Sequence, residues 1–491
     1  MEANQGNNTI FPHANTEYLR KRDLLKTNKF MKIIREAAFS HDERGIGYLK
    51  LTVDGRSELW PVMGKELKNW LQWSYFKEYG ESPKPGKLNE TLRAMEGKAK
   101  FEGEKIKVDL RVAESQGSFF YDLANPEGQA VEITPQGWSV VGTPQVYFRR
   151  YFNTAPQVLP ERGGDLEQRL FEYINLRNEE ARLLMLVYIT TSFIPNIAHP
   201  IPILYGDKGS AKSTLMKIIK MLIDPAYQAL LTLPSDKNEL ALTLSTNYAP
   251  CFDNLSNLQV WQSDMLCSAV TGGGLSKRKL FTDSEEILMD VQGSPILNGI
   301  GLVATRDDLL DRSLLFELQR LSPEERKAES DFWKDFEEDR PFILGCIFDT
   351  FCEAIKIYPE VQLTELPRMA DFTKWGYAVA EAIGGKGEKF LDAYNNNIKL
   401  ATLDAVEADP VGAALVELLN SQPEKSWEGT PTELLNALNS LPGNTTANGL
   451  PKAPHVLTRR INEIKSALFD LGIRIEFSRS ENRNYKIFYQ K

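Results

Sequence analysis

Pro202-Ile203-Leu204-Tyr205-Gly206-Asp207-Lys208-Gly209-Ser210-Ala211-Lys212-Ser213-Thr214-Leu215-Met216 is the stretch from which the rest of the chain is read. The apolar run Ile201 to Tyr205 predicts a buried strand. Gly206 and Gly209 let backbone N–H groups turn inward, and Lys212-Ser213 opens a helix whose N-terminal dipole favours anions. Residues 206–214 therefore read as a phosphate-binding loop, with Asp207, Lys208, Ser210, Ala211 and Thr214 completing it. In that role Lys212 reaches the β- and γ-phosphates of ATP, and the Ser213 hydroxyl ligates the accompanying Mg²⁺. One position departs from the G-x-x-x-x-G-K-[ST] pattern, since Ala211 stands where a second glycine is expected. The bland alternative is a strand joined to a helix by a loop that matches by chance.

Three further stations follow in order. Asn247-Tyr248-Ala249-Pro250-Cys251-Phe252-Asp253-Asn254 ends an apolar strand on a carboxylate, which suits Asp253 to the Mg²⁺ shell. Asn254 can position a water but cannot accept its proton, so the water-activating residue stays open; alternatively the Asp-Asn pair caps a turn. Ser294-Pro295-Ile296-Leu297-Asn298-Gly299 ends a short strand on an amide that can bond both a phosphate and a water, although an Asn-Gly pair alone reads first as a turn. Arg306 and Arg312, in RDDLLDR, suit the charge that develops on a transferring phosphoryl group, and such a finger often comes from a neighbouring subunit. The alternative there is an exposed helix laced with Asp/Arg pairs. Between the second and third stations, TGGGLSKRKLF at 271–281 predicts a basic hairpin on which Lys277, Arg278 and Lys279 track a single-stranded DNA backbone. A solvated surface loop is the competing reading.

At 491 residues the chain exceeds one ordinary core. Hydrophobic residues at 42% and charged residues at 25% describe a globular protein rather than a disordered or membrane one. The most apolar run, Leu183 to Pro195, is shorter than the ~20 residues of a membrane span and predicts a buried helix. No apolar segment with a small-residue cleavage site follows the N-terminus, so the cytoplasm is expected. Cys251, Cys267, Cys346 and Cys352 lack metal-ligand spacing and read as core thiols.

The expected organisation is a tail at 1–44, an α+β domain at 45–141, a Pro/Gly-rich linker at 142–164, an α/β ATPase core at 165–322 and a helical lid at 323–402. A module at 410–491 completes it. The net charge of -9 does not point to nucleic acid, but residues 451–491 carry nine basic against four acidic side chains. Three helical patterns and then two strands give this module the order of a winged helix. Thr458, Arg459 and Arg460 near the start of its third helix are then expected to face duplex DNA, with Arg479 and Arg483 on the wing. A protein-docking module is the alternative.

With these stations in this order the chain resembles AAA+ replicative helicases. Gly-Asp-Lys-Gly-Ser-Ala-Lys-Ser is similar to the phosphate loop of minichromosome-maintenance helicases, where Ala also commonly precedes the lysine. DNLS at 253–256, TGGGLSKRKLFTD at 271–283, LNGI at 297–300 and PRMADF at 367–372 resemble superfamily-three and MCM-like initiator helicases of phages, plasmids and integrative elements. The resemblance implies ATP and Mg²⁺, a hexameric ring, translocation on single-stranded DNA, Arg312 as arginine finger with Arg306 as alternative, and Arg368 as a sensor arginine of the lid. Asn254 departs from the Asp-Glu of the MCM pattern. The competing class is an AAA+ switch or defence protein that oligomerises with nucleotide without unwinding DNA.

Overall fold

The computed structural model describes residues 28–490 apart from 54, 279–285, 292, 300–305, 365, 443–448 and 479–483. The chain divides into two compact units. The first comprises residues up to Asp109 together with Pro126–Gln129 and Gly142–Arg149. In it, Ala38–His41, Gly47–Val53 and Arg56–Pro61 form an antiparallel sheet, joined in parallel by Glu104–Lys105. Helices Lys65–Tyr79 and Pro85–Glu102 bury Leu67, Leu71, Leu88, Leu92 and Met95 at helical spacing in the same core.

The second unit holds the rest, including the antiparallel strands Val112–Ser115, Ser118–Asp122, Ala130–Thr134 and Gly137–Val141. Sequence punctuation groups these four strands with the N-terminal domain, but Phe119, Tyr121, Val131 and Trp138 share their core with the strand Ile201–Tyr205 and the helix Lys212–Ile223. Alternation along a strand tells which face is buried but not what buries it. Here it is helix Glu329–Ile357, whose Phe348 and Phe351 pack with tilted or edge-on rings against Trp138, Tyr121 and Phe119.

At the centre of the unit lies a five-stranded parallel sheet in the spatial order Leu230–Leu231, Cys251–Leu255, Ile296–Gly299, Ile201–Tyr205, Ser313–Glu317. In chain order this runs second, third, fourth, first, fifth. The inner strands Ile201–Tyr205 and Ile296–Gly299 are buried almost throughout because helices cover the sheet, among them Glu179–Thr191, which has buried residues throughout Leu183–Thr191. No described helix is long and apolar enough to cross a membrane.

Helix Lys212–Ile223 runs from the loop at 206–211 into a buried ionic cluster. Asp224 accepts from Lys220 at 2.7 Å and from Arg111 at 3.0 Å, while Arg111, 1% exposed, also donates to the carbonyls of Asp122 and Pro225. Burial alone would raise the Asp224 pKa, but the ammonium and guanidinium beside it hold the carboxyl well below the usual range. The far end of the loop helix is thereby fixed to the strand at Val112–Ser115.

Helices Glu329–Ile357, Ala370–Gly384 and Gly387–Ala408 pack on one another and on Glu179–Thr191. After them, helices Pro410–Ser421, Pro431–Asn439 and Pro454–Asp470 enclose a separate apolar cluster. Strands Ile473–Ser478 and Asn484–Tyr489 follow as an antiparallel pair, and Ser426–Gly429 adds a third strand against the latter. That third strand is too short and polar to be seen in the sequence, and only its partner defines it.

Candidate functional site

Each polar group of the site sits at the carboxyl end of a strand in the parallel sheet. Such ends collect ligands because the loops leaving them diverge and the helices that follow present their N-termini. Gly206 leaves the sheet at φ 134°, and a methyl group built there would lie 2.2 Å from the Leu318 carbonyl oxygen, so only glycine fits. Ala211, at the missing-glycine position, nevertheless adopts φ 66°. The loop conformation is therefore kept without the glycine, at a strain of about 1 kcal/mol.

Lys212 folds back over this loop, with Nζ donating to the carbonyl oxygens of Gly206 at 2.7 Å and Asp207 at 2.8 Å. Partial burial lowers its pKa, opposed by Asp207 and Asp253. The Ser213 hydroxyl lies 3.1 Å from both carboxylate oxygens of Asp253. Asn298 joins them from the neighbouring strand, its Nδ2 donating to Asp253 and lying 3.3 Å from Ser213 Oγ. The register explains the meeting: Asn298 pairs with Leu204 on one side, and Leu297 pairs with Phe252 on the other.

Among the described residues the Oδ1 of Asn298 is buried with no hydrogen-bond partner. An orphan acceptor beside a carboxylate and a hydroxyl fits a hydrated divalent cation or its water. No three His, Cys, Asp or Glu side chains cluster as a metal site among the described residues. Asn254 adopts φ 58° where the strand register shifts, and its backbone N–H donates to Asp253 at 2.9 Å. Its side chain is exposed rather than set into the cluster.

The arginines lie elsewhere. The Arg312 carbonyl accepts from Ile201 N at 2.7 Å, which puts Arg312 at the amino end of the sheet. The strand Ile201–Tyr205 therefore separates it from the phosphate loop by roughly 15 Å, beyond the reach of its side chain. Arg312 donates to the Asp308 carbonyl at 2.5 Å, and Arg368 pairs with Asp311 at 3.0 Å and Asp308 at 3.4 Å. Arg306 pairs with Asp264 at 2.5 Å.

Gly273–Arg278 and Glu286–Val291 form an antiparallel hairpin, with Arg278 opposite Glu286. Lys277 and Arg278 stand at the end of its first strand, while Lys279 lies outside the described residues, as do Arg479 and Arg483. In the C-terminal module, Leu457, Ile461, Ile464 and Leu468 of the third helix face inward. Arg459 is exposed on the outer face. Thr458 is partly buried and bonds back to the Pro454 carbonyl at 3.0 Å. Arg460 differs from the sequence expectation: its guanidinium clasps Asp409, which caps helix Pro410–Ser421, and lies 2.8 Å from Glu463. A buried capping carboxylate is the stronger attractor, so Arg460 ties two helices together. Asn175 escaped the sequence reading altogether, yet its Nδ2 bridges the Ser210 and Gln319 carbonyls at 3.2 and 2.7 Å. No motif marks it.

Residues 167–406 match the family described as "Actinomycete integrative conjugative element replication protein". Residues 411–490 match the C-terminal domain of the same RepA proteins, and together the two matches cover more than half of the chain. No curated protein matches the sequence. Among solved structures, the SCCmec type IV Cch active helicase is similar at 12% identity, covering 92% of this chain and 92% of that one, with a TM-score of 0.48. The A form apo structure of the NrS-1 C-terminal region is similar at 12% identity over 94% of this chain and 99% of that one, with a TM-score of 0.42.

Proposed function

We propose that this chain, which belongs to the family of actinomycete integrative conjugative element replication proteins, starts replication of such an element as an ATP-driven DNA helicase. One observation carries the reading: Lys212, Ser213, Asp253 and Asn298 gather at one end of the sheet, while Arg312 and Arg368 stand together near the other. No subunit can complete such a site alone. A ring, in which the amino end of one sheet meets the phosphate loop of the next subunit, completes it.

The strand order supports an AAA+ core, because the phosphate-loop strand lies between the last strand and the Asn298 strand. In this site Lys212 leaves its carbonyl partners to neutralise the β- and γ-phosphates of ATP. Ser213 and Asp253 would hold Mg²⁺, which would supply neutralisation of phosphate charge. Asn298 bridges the carboxylate and the attacking water, its Nδ2 donating to Asp253 and its orphan Oδ1 accepting from the water, and Asn254 can orient that water but not deprotonate it. Arg312 and Arg368 of the neighbouring subunit stabilise the charge of the transferring phosphoryl group.

The hairpin at 273–291 and the C-terminal winged helix are the DNA contacts in this reading. Lys277, Arg278 and Lys279 track one strand, and Arg459 faces duplex DNA from the third helix. Neutralising the three hairpin cations together leaves basal ATP hydrolysis in place but lowers its stimulation by single-stranded DNA. Each lost phosphate contact reduces the salt slope by about 0.7. An unchanged slope with normal unwinding would move these residues to an outer surface, and ATP-driven assembly without any stimulation by DNA would favour a nucleotide switch instead.

A further inference from the structure

One cation beside the phosphate loop has no role in the reading above. After the last sheet strand the chain turns back over the loop: Leu318 N donates to the Tyr205 carbonyl at 2.9 Å, and Leu321 N donates to the Gly209 carbonyl at 3.3 Å. Asn175 ties this strap to the loop through Gln319 and Ser210. The turn Pro323–Glu325 that follows is closed by a capping box between Ser322 and Glu325, and Glu325 accepts from Arg177 at 2.7 and 2.9 Å. Arg326 ends the turn.

A methyl group built on Gly209 would lie 3.8 Å from Arg326 Nη2, so the guanidinium stands over the middle of the loop. Arg326 is exposed, and among the described residues its side chain has no hydrogen-bond or ion-pair partner. Arg177, on the same side of the loop, is instead engaged with the Glu325 carboxylate. A guanidinium carries five donors in a fixed fork that matches phosphate oxygens, and one left unpaired beside an anion cradle is matched to the anion. Gly209 takes up φ 82°, a backbone conformation that favours glycine.

We propose that Arg326 donates to the β- or γ-phosphate of the nucleotide in its own subunit, a second cation in cis beside Lys212. This rests on the reading of residues 206–213 as the nucleotide loop. It also joins the nucleotide to the strap that leads into helix Glu329–Ile357, so that phosphate occupancy is felt at the start of the helical block.

The test is equilibrium titration of the full chain with a fluorescent ATP and the corresponding ADP, alongside thermal melting, for wild type, Arg326→Ala, Arg326→Lys, Glu325→Ala and Lys212→Ala. Arg326→Ala is expected to bind ATP about tenfold or more weakly with an unchanged melting temperature, and Arg326→Lys to recover part of the loss. Weaker binding of both nucleotides puts the contact on the β-phosphate, and weaker binding of ATP alone puts it on the γ-phosphate; either supports the proposal. Wild-type affinity for both nucleotides in Arg326→Ala overturns it. So does an equal loss in Glu325→Ala without rescue by lysine, because the strap and not the cation then carries the effect. Ordinary ATP hydrolysis by Lys212→Ala would instead remove the nucleotide-loop reading itself.

Discussion

At the carboxyl end of the five-stranded sheet, Ser213, Asp253 and Asn298 hold one another within 3.3 Å, and Asn298 is only 3% exposed. Near the amino end, Arg312 and Arg368 lean on Asp308 and Asp311, and Arg368 keeps 46% of its side chain in solvent. The first group is already assembled. Of the second, Arg368 is parked on carboxylates that a competing anion can replace, since exposed ion pairs contribute only about 0–1 kcal/mol, whereas Arg312 keeps only 15% of its side chain in solvent. A preorganised cradle at one end and an exposed cation near the other agree with the proposed site shared between subunits.

The comparison breaks most completely at Lys212. Lys212→Ala is expected to abolish ATP hydrolysis while melting as wild type, because Lys212 is bonded only to its own loop and its charge is needed only when phosphates are bound. Ordinary turnover in that variant ends the assignment of the carboxyl end. Next in size is Arg312→Ala, which should still bind nucleotide but hydrolyse it slower by a factor on the order of 10³. Mixing it with Lys212→Ala subunits should recover part of the activity, since one interface of the mixture pairs an intact loop with an intact arginine. No recovery in subunits shown to co-assemble confines Arg312 to a structural role.

Arg368→Ala sharpens the same end, with an expected loss of roughly tenfold, because each charge-assisted bond to a phosphate is worth about 1.5–3 kcal/mol and solvent screens part of it. An Arg368→Ala enzyme as slow as Arg312→Ala would make the two arginines one unit.

The smallest effect is on stability and falls on His199, just before the phosphate-loop strand. Its Nε2 donates to the Ile194 carbonyl at 2.9 Å in the neutral tautomer, and its Nδ1 is buried without a partner. Burial lowers its pKa to about 4. A depressed folded pKa gives stability that is complete above the unfolded value of about 6.5 and is lost as pH falls toward 4, amounting to about 2 kcal/mol by pH 5. Urea unfolding at pH 7 and pH 5 should show this difference in wild type and less of it in His199→Gln. An equal difference in both places the proton elsewhere.

The sequence by itself determined the parts that depend on neighbours along the chain. The strand, turn and helix at 201–223 follow from an apolar run, two glycines at positive φ and a breaker at Asp224-Pro225. The inward face of Pro454–Asp470 follows from helical spacing. Tertiary structure alone decided whatever depends on which elements meet. Phe119 and Trp138 alternate as strand residues would in either unit, and only Phe348 and Phe351 assign them to the second. Arg459 and Arg460 are adjacent and chemically identical, yet Asp409 lies some fifty positions away and claims one of them. Arg326 belongs to no motif, and Gly209 becomes its neighbour only because the strap folds back over the loop. Local pattern records propensity and periodicity; a long-range electrostatic partner leaves no trace in it until the backbone has folded.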